Sequence, residues 1–342
     1  MTRYLSDKFI VLNTILVIMV VFIHSSFNEA AQYPVATYIQ CFIGGGICRI
    51  ANCMFFAISG YLFARNLKSL KDIHEKQLKR IRTLVLPYML WNIIFVTWYI
   101  VLEYIPWASG YSNSGGTLHK IISQPIVETF QWLFLAPAAF QLWFVRDLIA
   151  ILLFIPLIWL ITRLSWKISV LLAIGSVVFY PWLSYFWLGF VLAYKSINIQ
   201  PANYPKFTIL ISWFIYILFG IFITVHPLND EFIHSKFSYF IVNLIGLYAI
   251  WGTYDIFSKR EIISDKGLWK FICGFSFFIY CFHEPAFNVI KKLSLSAFGT
   301  SEVSLIVLYL VNPFIMVGAA ICIAQLLRKI TPAIYRILTG GR

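Results

Sequence analysis

The feature that most constrains this 342-residue chain is the recurrence, from end to end, of apolar runs long enough to cross a bilayer. A hydrocarbon core about 30 Å thick needs roughly 20 apolar residues in a helix. Ten stretches approach that description, at 9–27, 41–64, 84–104, 142–162, 166–180, 182–194, 207–225, 238–257, 270–288 and 303–327. Lipid offers no partner to a backbone amide, so each run must satisfy its own hydrogen bonds as a helix. Only 12% of the residues are charged, about half the share of a soluble domain, so water cannot be the solvent for most of the surface. The expected fold is all-α, a polytopic bundle of about ten transmembrane helices forming one domain over 1–342, with no appended soluble domain. The fifth and sixth runs are short, with Pro181 between them, and are expected as a helical hairpin that need not cross fully.

Orientation follows from where Lys and Arg lie. With an even number of spans both termini share a side. If that side is the cytoplasm, 21 of the 27 Lys and Arg fall in inner segments and four in outer ones. The expectation is N-in and C-in, in the cytoplasmic (inner) membrane. The net charge of +13 is then accounted for by topology and anionic lipid at the cytoplasmic face, without nucleic acid. The same basic face can receive a soluble polyanion.

The six cysteines, at 41, 48, 53, 273, 281 and 322, lie in or beside apolar runs with no disulfide framework in the outer loops. No His or carboxylate accompanies Cys48 and Cys53, so neither a metal site nor a disulfide is expected. The N-terminal run is too long for a signal peptide and carries Asn13 and His24, so it reads as a retained first span. The outer segment 105–140 holds a turn-rich stretch, 109–116, followed by an apolar piece, 130–135, too short to span. That piece is expected to dip into the interface. The inner loop 65–82 has helical potential, is dense in Lys and Arg, and is expected along the headgroups.

Polar residues inside spans are costly and therefore informative. On the first span Asn13 and His24 lie 11 residues apart, three helical turns, on one face and about 16 Å apart along the axis. Imidazole is the side chain best suited to proton transfer near neutral pH. The second span carries Arg49 and Asn52 on a shared face. The fourth opens Gln141-Leu-Trp-Phe-Val-Arg-Asp147, where Trp143 and Phe144 fit an interfacial aromatic belt and the adjacent Arg146 and Asp147 are expected to point in different directions. The ninth ends with His283-Glu284-Pro285. His24, Arg49, Arg146, Asp147 and His283 all fall in the outer halves of their spans, and this common depth suggests one polar chamber. It would supply a base, cations for a developing oxyanion and acceptors for hydroxyl groups.

At these residues the chain resembles the integral-membrane acyltransferase-3 family, which includes bacterial polysaccharide and peptidoglycan O-acetyltransferases. Five segments match in order: the first span ending at His24; Arg49 through Phe-Phe-Ala-Ile-Ser-Gly-Tyr-Leu; Leu86-Pro-Tyr-Met-Leu-Trp91; Leu142-Trp-Phe; and Ser276-Phe-Phe-Ile-Tyr-Cys-Phe-His283. The resemblance implies transfer of an acyl group, usually acetyl, from an acyl-CoA donor to a carbohydrate hydroxyl, with no bound cofactor. It places His24 and Arg49 at the family's first-span His and second-span Arg. Where the family commonly carries Arg, 11 positions before that His, this chain has Asn13.

The expected mechanism has His24 as general base on an acceptor hydroxyl and Arg49, with Arg146, stabilising the oxyanion. Asn13, Asn52, Trp143, Asp147 and His283 would bind or orient substrate. The alternative is a non-acylating glycan transporter, flippase, polymerase or export factor, which would also need basic and aromatic residues around an outer cavity.

Overall fold

The structure is a computed structural model and describes residues 2–105, 117–137, 139–199, 205–226, 235–259 and 261–341. The turn-rich stretch 109–116 and two of the topology charges, Arg260 and Arg342, lie outside the described residues. Each expected span has a helix: α1 (Arg3–Ile23), α2 (Pro34–Ala64), α3 (Leu70–Tyr104), α4 (Phe140–Leu164), α5 (Trp166–Gly175), α6 (Pro181–Tyr194), α7 (Lys206–Val225), α8 (Lys236–Ser258), α9 (Ser276–Phe298) and α10 (Glu302–Ile330). Seven of them, α1 to α4, α7, α8 and α10, are long and apolar enough to cross a membrane. No strand occurs among the described residues. The chain is an all-α polytopic bundle of a multi-pass membrane protein.

The three remaining helices depart from simple spans for separate reasons. α5 has 10 residues and stops before Pro181, which opens the 14-residue α6. α9 has 23 residues but breaks at Glu284 (φ −113°, ψ 139°) and carries Lys291 and Lys292 beyond the break. Short α6 is nonetheless central, with Phe186 and Phe190 fully enclosed. Its backbone lies against α2 at two glycines. A Cβ on Gly60 would stand 1.9 Å from the Phe186 carbonyl oxygen, and one on Gly189 2.1 Å from that of Ala57. Ser59-Gly60 thus serves close helix approach, the use small residues have in membranes.

α1 is displaced towards the N-terminus relative to the apolar run. Thr2 caps it by accepting from the Leu5 amide at 3.2 Å, and it passes through Asp7 and Lys8 because both are paired. Lys8, fully buried, lies 2.7 Å from Asp255 on α8 and over the Trp251 ring at 3.7 Å. Asp7 accepts from the amides of Ile263 and Ser264 at 2.9 and 2.7 Å and from the Tyr254 hydroxyl. Lys8, which precedes the first apolar run and so falls among the inner-segment charges, is therefore interior. At the other end α1 stops at Ile23 and His24 caps it, so the imidazole sits at a helix terminus rather than inside an apolar span.

The basic loop is helical over Leu70–Arg80, started by a capping box between Ser69 and Asp72. It runs through a π-helical turn, Ile81–Val85, into the apolar part of α3. The short apolar piece belongs to a helix, Ile126–Leu135. Two hydrogen bonds tie it to the bundle, from the Tyr88 hydroxyl to the Phe134 carbonyl (2.6 Å) and from Arg146 to that of Leu135 (2.8 Å).

Candidate active site

His24 and His283 come together at the end of the bundle opposite the N-terminus, their ring centroids 5.2 Å apart. Phe140, in the first turn of α4, packs against His24 at 5.3 Å. His283 is fully buried rather than interfacial. Its Nδ1 lies 2.7 Å from the Tyr280 carbonyl, an acceptor only, so Nδ1 carries the proton and Nε2 keeps its lone pair. Nε2 is buried with no partner among the described residues. The pair is thus an imidazole at a helix end beside a second imidazole whose free nitrogen accepts.

A cation and a carboxylate accompany the pair. Lys291, one helical segment beyond the break in α9, donates to the His24 carbonyl at 3.0 Å and to that of Ser26 at 3.5 Å. Its ammonium stands 4.0 Å from Glu284. Glu284 is 2% exposed, and its second oxygen has no partner among the described residues. The side-chain amide of Gln141 donates to the carbonyls of Cys281 (3.1 Å) and Glu284, and the Tyr280 hydroxyl donates to the backbone carbonyl of Gln141 at 2.6 Å.

Below the histidines lies a cavity of about 400 Å³. Asn13 on α1, Ser59 on α2, Arg80 on α3 and Thr339 near the C-terminus contribute its polar wall. Among the described residues that line it, Arg80 is the one charged side chain. Its opposite wall includes Phe55, Phe144 and Tyr280, whose rings pack at 5.5 Å (Phe55–Phe144), 6.1 Å (Phe144–Tyr280) and 6.5 Å (Phe55–Tyr280). Tyr280 is in turn 6.1 Å from His283. An adjoining cleft of about 610 Å³ shares Gly274 with the cavity and is lined by Lys270, Arg328 and Lys329.

The remaining expected residues make contacts of their own. Arg146 and Asp147 do not diverge: the long arginine side chain curls back, its Nε 2.7 Å from the neighbouring carboxylate. Asp147 also accepts from the Tyr180 hydroxyl. Trp143 and Phe144 face the bundle and not an interfacial belt. Trp143 packs on Trp182 at 5.3 Å and on Phe56 at 6.3 Å. Arg49 lays its guanidinium 4.2 Å over the ring of Tyr239 on α8, and Asn52 is half-buried one turn further along α2. The contacts among the described residues are those of a histidine pair, an Arg146–Asp147–Tyr180 group and an Arg49–Tyr239 contact, with Asn13 in the cavity.

Lys291, Glu284, Gln141 and Arg80 were not among the candidates. A signal existed for two of them: a glutamate directly before proline inside a span marks a backbone break, and a break needs a donor such as Gln141. Lys291 reads as an outer-loop charge, and Arg80 as one of seven basic residues in a cytoplasmic loop.

A family model described as an acyltransferase domain, that of the acyltransferase-3 family, matches residues 8–329. The chain belongs to this family. It is an acyltransferase, and the match runs from within α1 to within α10. The chain is also similar to the succinoglycan biosynthesis protein ExoH of Rhizobium meliloti (strain 1021), 24% identical over 368 aligned positions that cover all of this chain and 94% of that protein. No solved structure matches.

Proposed function

We propose that the protein transfers an acyl group, acetyl in the first instance, from acyl-CoA to a hydroxyl of a cell-surface or lipid-linked carbohydrate. The chemistry falls at the His24–His283 pair. The observation that carries this reading is the pair's placement against Tyr280, whose ring also lines the cavity. A carbohydrate acceptor is supported by the similarity to a protein of succinoglycan biosynthesis. Family membership favours transfer over the transporter alternative.

With both termini in the cytoplasm of an inner-membrane protein, the end of the cavity at Arg80, Gly274 and Thr339 faces the donor pool. The acyl thioester enters there, its phosphates drawn to Arg80 and to the adjoining basic cleft, and its acyl end lies beneath Tyr280. Asn13 contributes an amide where the resemblance would place a cation, and Arg80 supplies a positive charge to the same cavity.

In the reaction, His24 takes the proton of the acceptor hydroxyl while its oxygen attacks the thioester carbonyl. The tetrahedral oxyanion forms near the Lys291 ammonium, the cation placed against His24. Arg49, the cation expected from the resemblance, is the second candidate for that role. Collapse breaks the carbon–sulfur bond, the thiolate takes the proton back from His24, and an ester and free CoA leave. His283, through its unprotonated Nε2, accepts a hydrogen bond from the acceptor and orients it.

The test is acyl transfer from labelled acetyl-CoA to surface glycan in membranes carrying wild type or His24→Ala. Label in glycan with wild type, and none with H24A at equal membrane abundance, is expected. Full labelling with H24A removes the base assignment, and no labelling with wild type removes the donor.

A further inference from the structure

We propose that Gln141 is a positioning residue, which holds His283 in register with His24 by donating to the two carbonyls at the Pro285 break. The inference rests on the reading of the two histidines as the reaction centre.

In an unbroken helix the Cys281 carbonyl accepts from the amide of residue 285. That residue is proline and has no N–H. Glu284 is extended, at φ −113° and ψ 139°, the region into which a following proline pushes a residue, and its carbonyl is turned out of the helical ladder. Cys281 and Glu284 are 1% and 2% exposed, so water is kept from both carbonyls, and buried carbonyls require a donor.

Gln141 supplies both. A primary amide has two N–H groups, and here one goes to Cys281 and the other to Glu284. Because a carbonyl oxygen can only accept, the pairing also fixes which end of the amide is nitrogen. The Tyr280 hydroxyl donates in turn to the backbone carbonyl of Gln141, while the side-chain oxygen of Gln141 has no partner among the described residues. His283 lies within the clamped residues, its Nδ1 held by the Tyr280 carbonyl. The neighbouring Phe140 packs on His24. One turn at the start of α4 therefore braces both histidines from the same side. Gln141 is not in the cavity wall, so its influence falls on the reaction geometry and not on donor binding.

The experiment compares purified wild type, Gln141→Leu, the isosteric Gln141→Glu, Pro285→Ala and the double variant Q141L/P285A in lipid nanodiscs. It measures kcat and the KM for acetyl-CoA, with thermal unfolding as a check on folding. Displacing a reacting group by a fraction of an ångström to an ångström costs about tenfold to a hundredfold in rate, so Q141L and Q141E are expected to lose at least about tenfold in kcat with KM unchanged. If Gln141 acts through the break, losses in Q141L and P285A do not add, and the double variant is no worse than the poorer single one. Wild-type kcat in both Gln141 variants, additive losses, or a change confined to KM would overturn the proposal. His24→Ala is run alongside. Activity in H24A would remove the reaction-centre reading, whereas an inactive H24A with fully active Gln141 variants would remove only the role of Gln141.

Discussion

Tyr280 and His283 share one turn of α9 in such a way that the carbonyl of Tyr280 fixes the His283 tautomer while its ring walls the cavity below. The two ring centroids are 6.1 Å apart. A single turn of helix thus joins the compartment suited to the donor to the imidazole pair suited to proton transfer. In the proposed reaction that turn is the connection between a thioester entering at one end of the bundle and an acceptor at the other.

The first prediction concerns that pair. General acid–base catalysis contributes about 10²–10⁴-fold, so His24→Ala should lower transfer by that amount. His283→Ala should lower it less and should raise the KM for the acceptor, because in the proposed reaction Nε2 binds the acceptor hydroxyl and does not carry the proton. Steady-state kinetics with varied acceptor separates the two. Equal effects on kcat alone would place both imidazoles in the proton path.

Arg80 makes the donor side testable. Charge-assisted hydrogen bonds are worth about 1.5–3 kcal/mol, so Arg80→Gln should raise the KM for acetyl-CoA about tenfold or more while kcat stays near wild type. Asn13 lines the same cavity, and Asn13→Arg in the R80Q background should recover part of the lost affinity. Replacing Lys270, Arg328 and Lys329 together by Gln should raise the KM for acetyl-CoA but not for acetyl-pantetheine, which lacks the nucleotide. Equal effects on both donors would show that the cleft does not hold the nucleotide end.

Much of this fold is legible in the sequence because membrane length and backbone self-satisfaction leave few options, and every apolar run marks a helix. The errors arise where a tertiary partner changes the local rule. Lys8 reads as a cytoplasmic charge because the run gives no hint of Asp255, 247 residues away. Short α6 reads as half of a partial hairpin because nothing in its own composition shows that Gly60 and Gly189 let it enter the centre of the bundle. In the site, His24 and His283 are visible as costly ionisable groups in apolar runs. Their meeting is not visible, since it depends on a break at Glu284 and a clamp from α4. Arg49 and Arg146 look equivalent to Lys291 or better in sequence, and only packing shows which cation reaches His24.

That last distinction gives the third prediction. Lys291→Ala should lower kcat more than Arg49→Ala, since Lys291 is the cation bonded to the His24 carbonyl, while Arg49 is seated on Tyr239. Lys291→Arg should keep partial activity by retaining the charge. The comparison is made at matched membrane abundance. A larger loss in R49A would return the oxyanion role to the arginine expected from the resemblance.

The contact between α2 and α6 predicts a stability effect with no catalytic component. Gly189→Ala places a methyl 2.1 Å from the Ala57 carbonyl oxygen, a distance that forces the two backbones apart. Overpacking costs about 1–3 kcal/mol, and a backbone-to-backbone clash lies at the upper end of that range. Thermal unfolding in detergent should show a lowered transition for G189A. A Gly175→Ala variant, whose Cβ meets nothing within 4 Å, should unfold like wild type.

Three rings, those of Phe55, Phe144 and Tyr280, line the cavity, and shortening one tests whether the acyl group resides there. Phe144 packs on Phe55 at 5.5 Å and on Tyr280 at 6.1 Å, so shortening it lengthens the space along the path from Arg80 to His283. If the acyl end lies under Tyr280, Phe144→Leu should shift preference from acetyl-CoA towards butyryl- or hexanoyl-CoA, because the added methylenes fill the vacated volume. Each methylene buried is worth about 0.8 kcal/mol, so two additional carbons should improve the relative kcat/KM about tenfold. Leucine is the substitution of choice because Phe→Ala in a core costs about 3–5 kcal/mol and would mix instability with specificity. An unchanged chain-length profile, in a variant that folds and keeps its KM for acetyl-CoA, would place the acyl group elsewhere and disconnect this cavity from the donor.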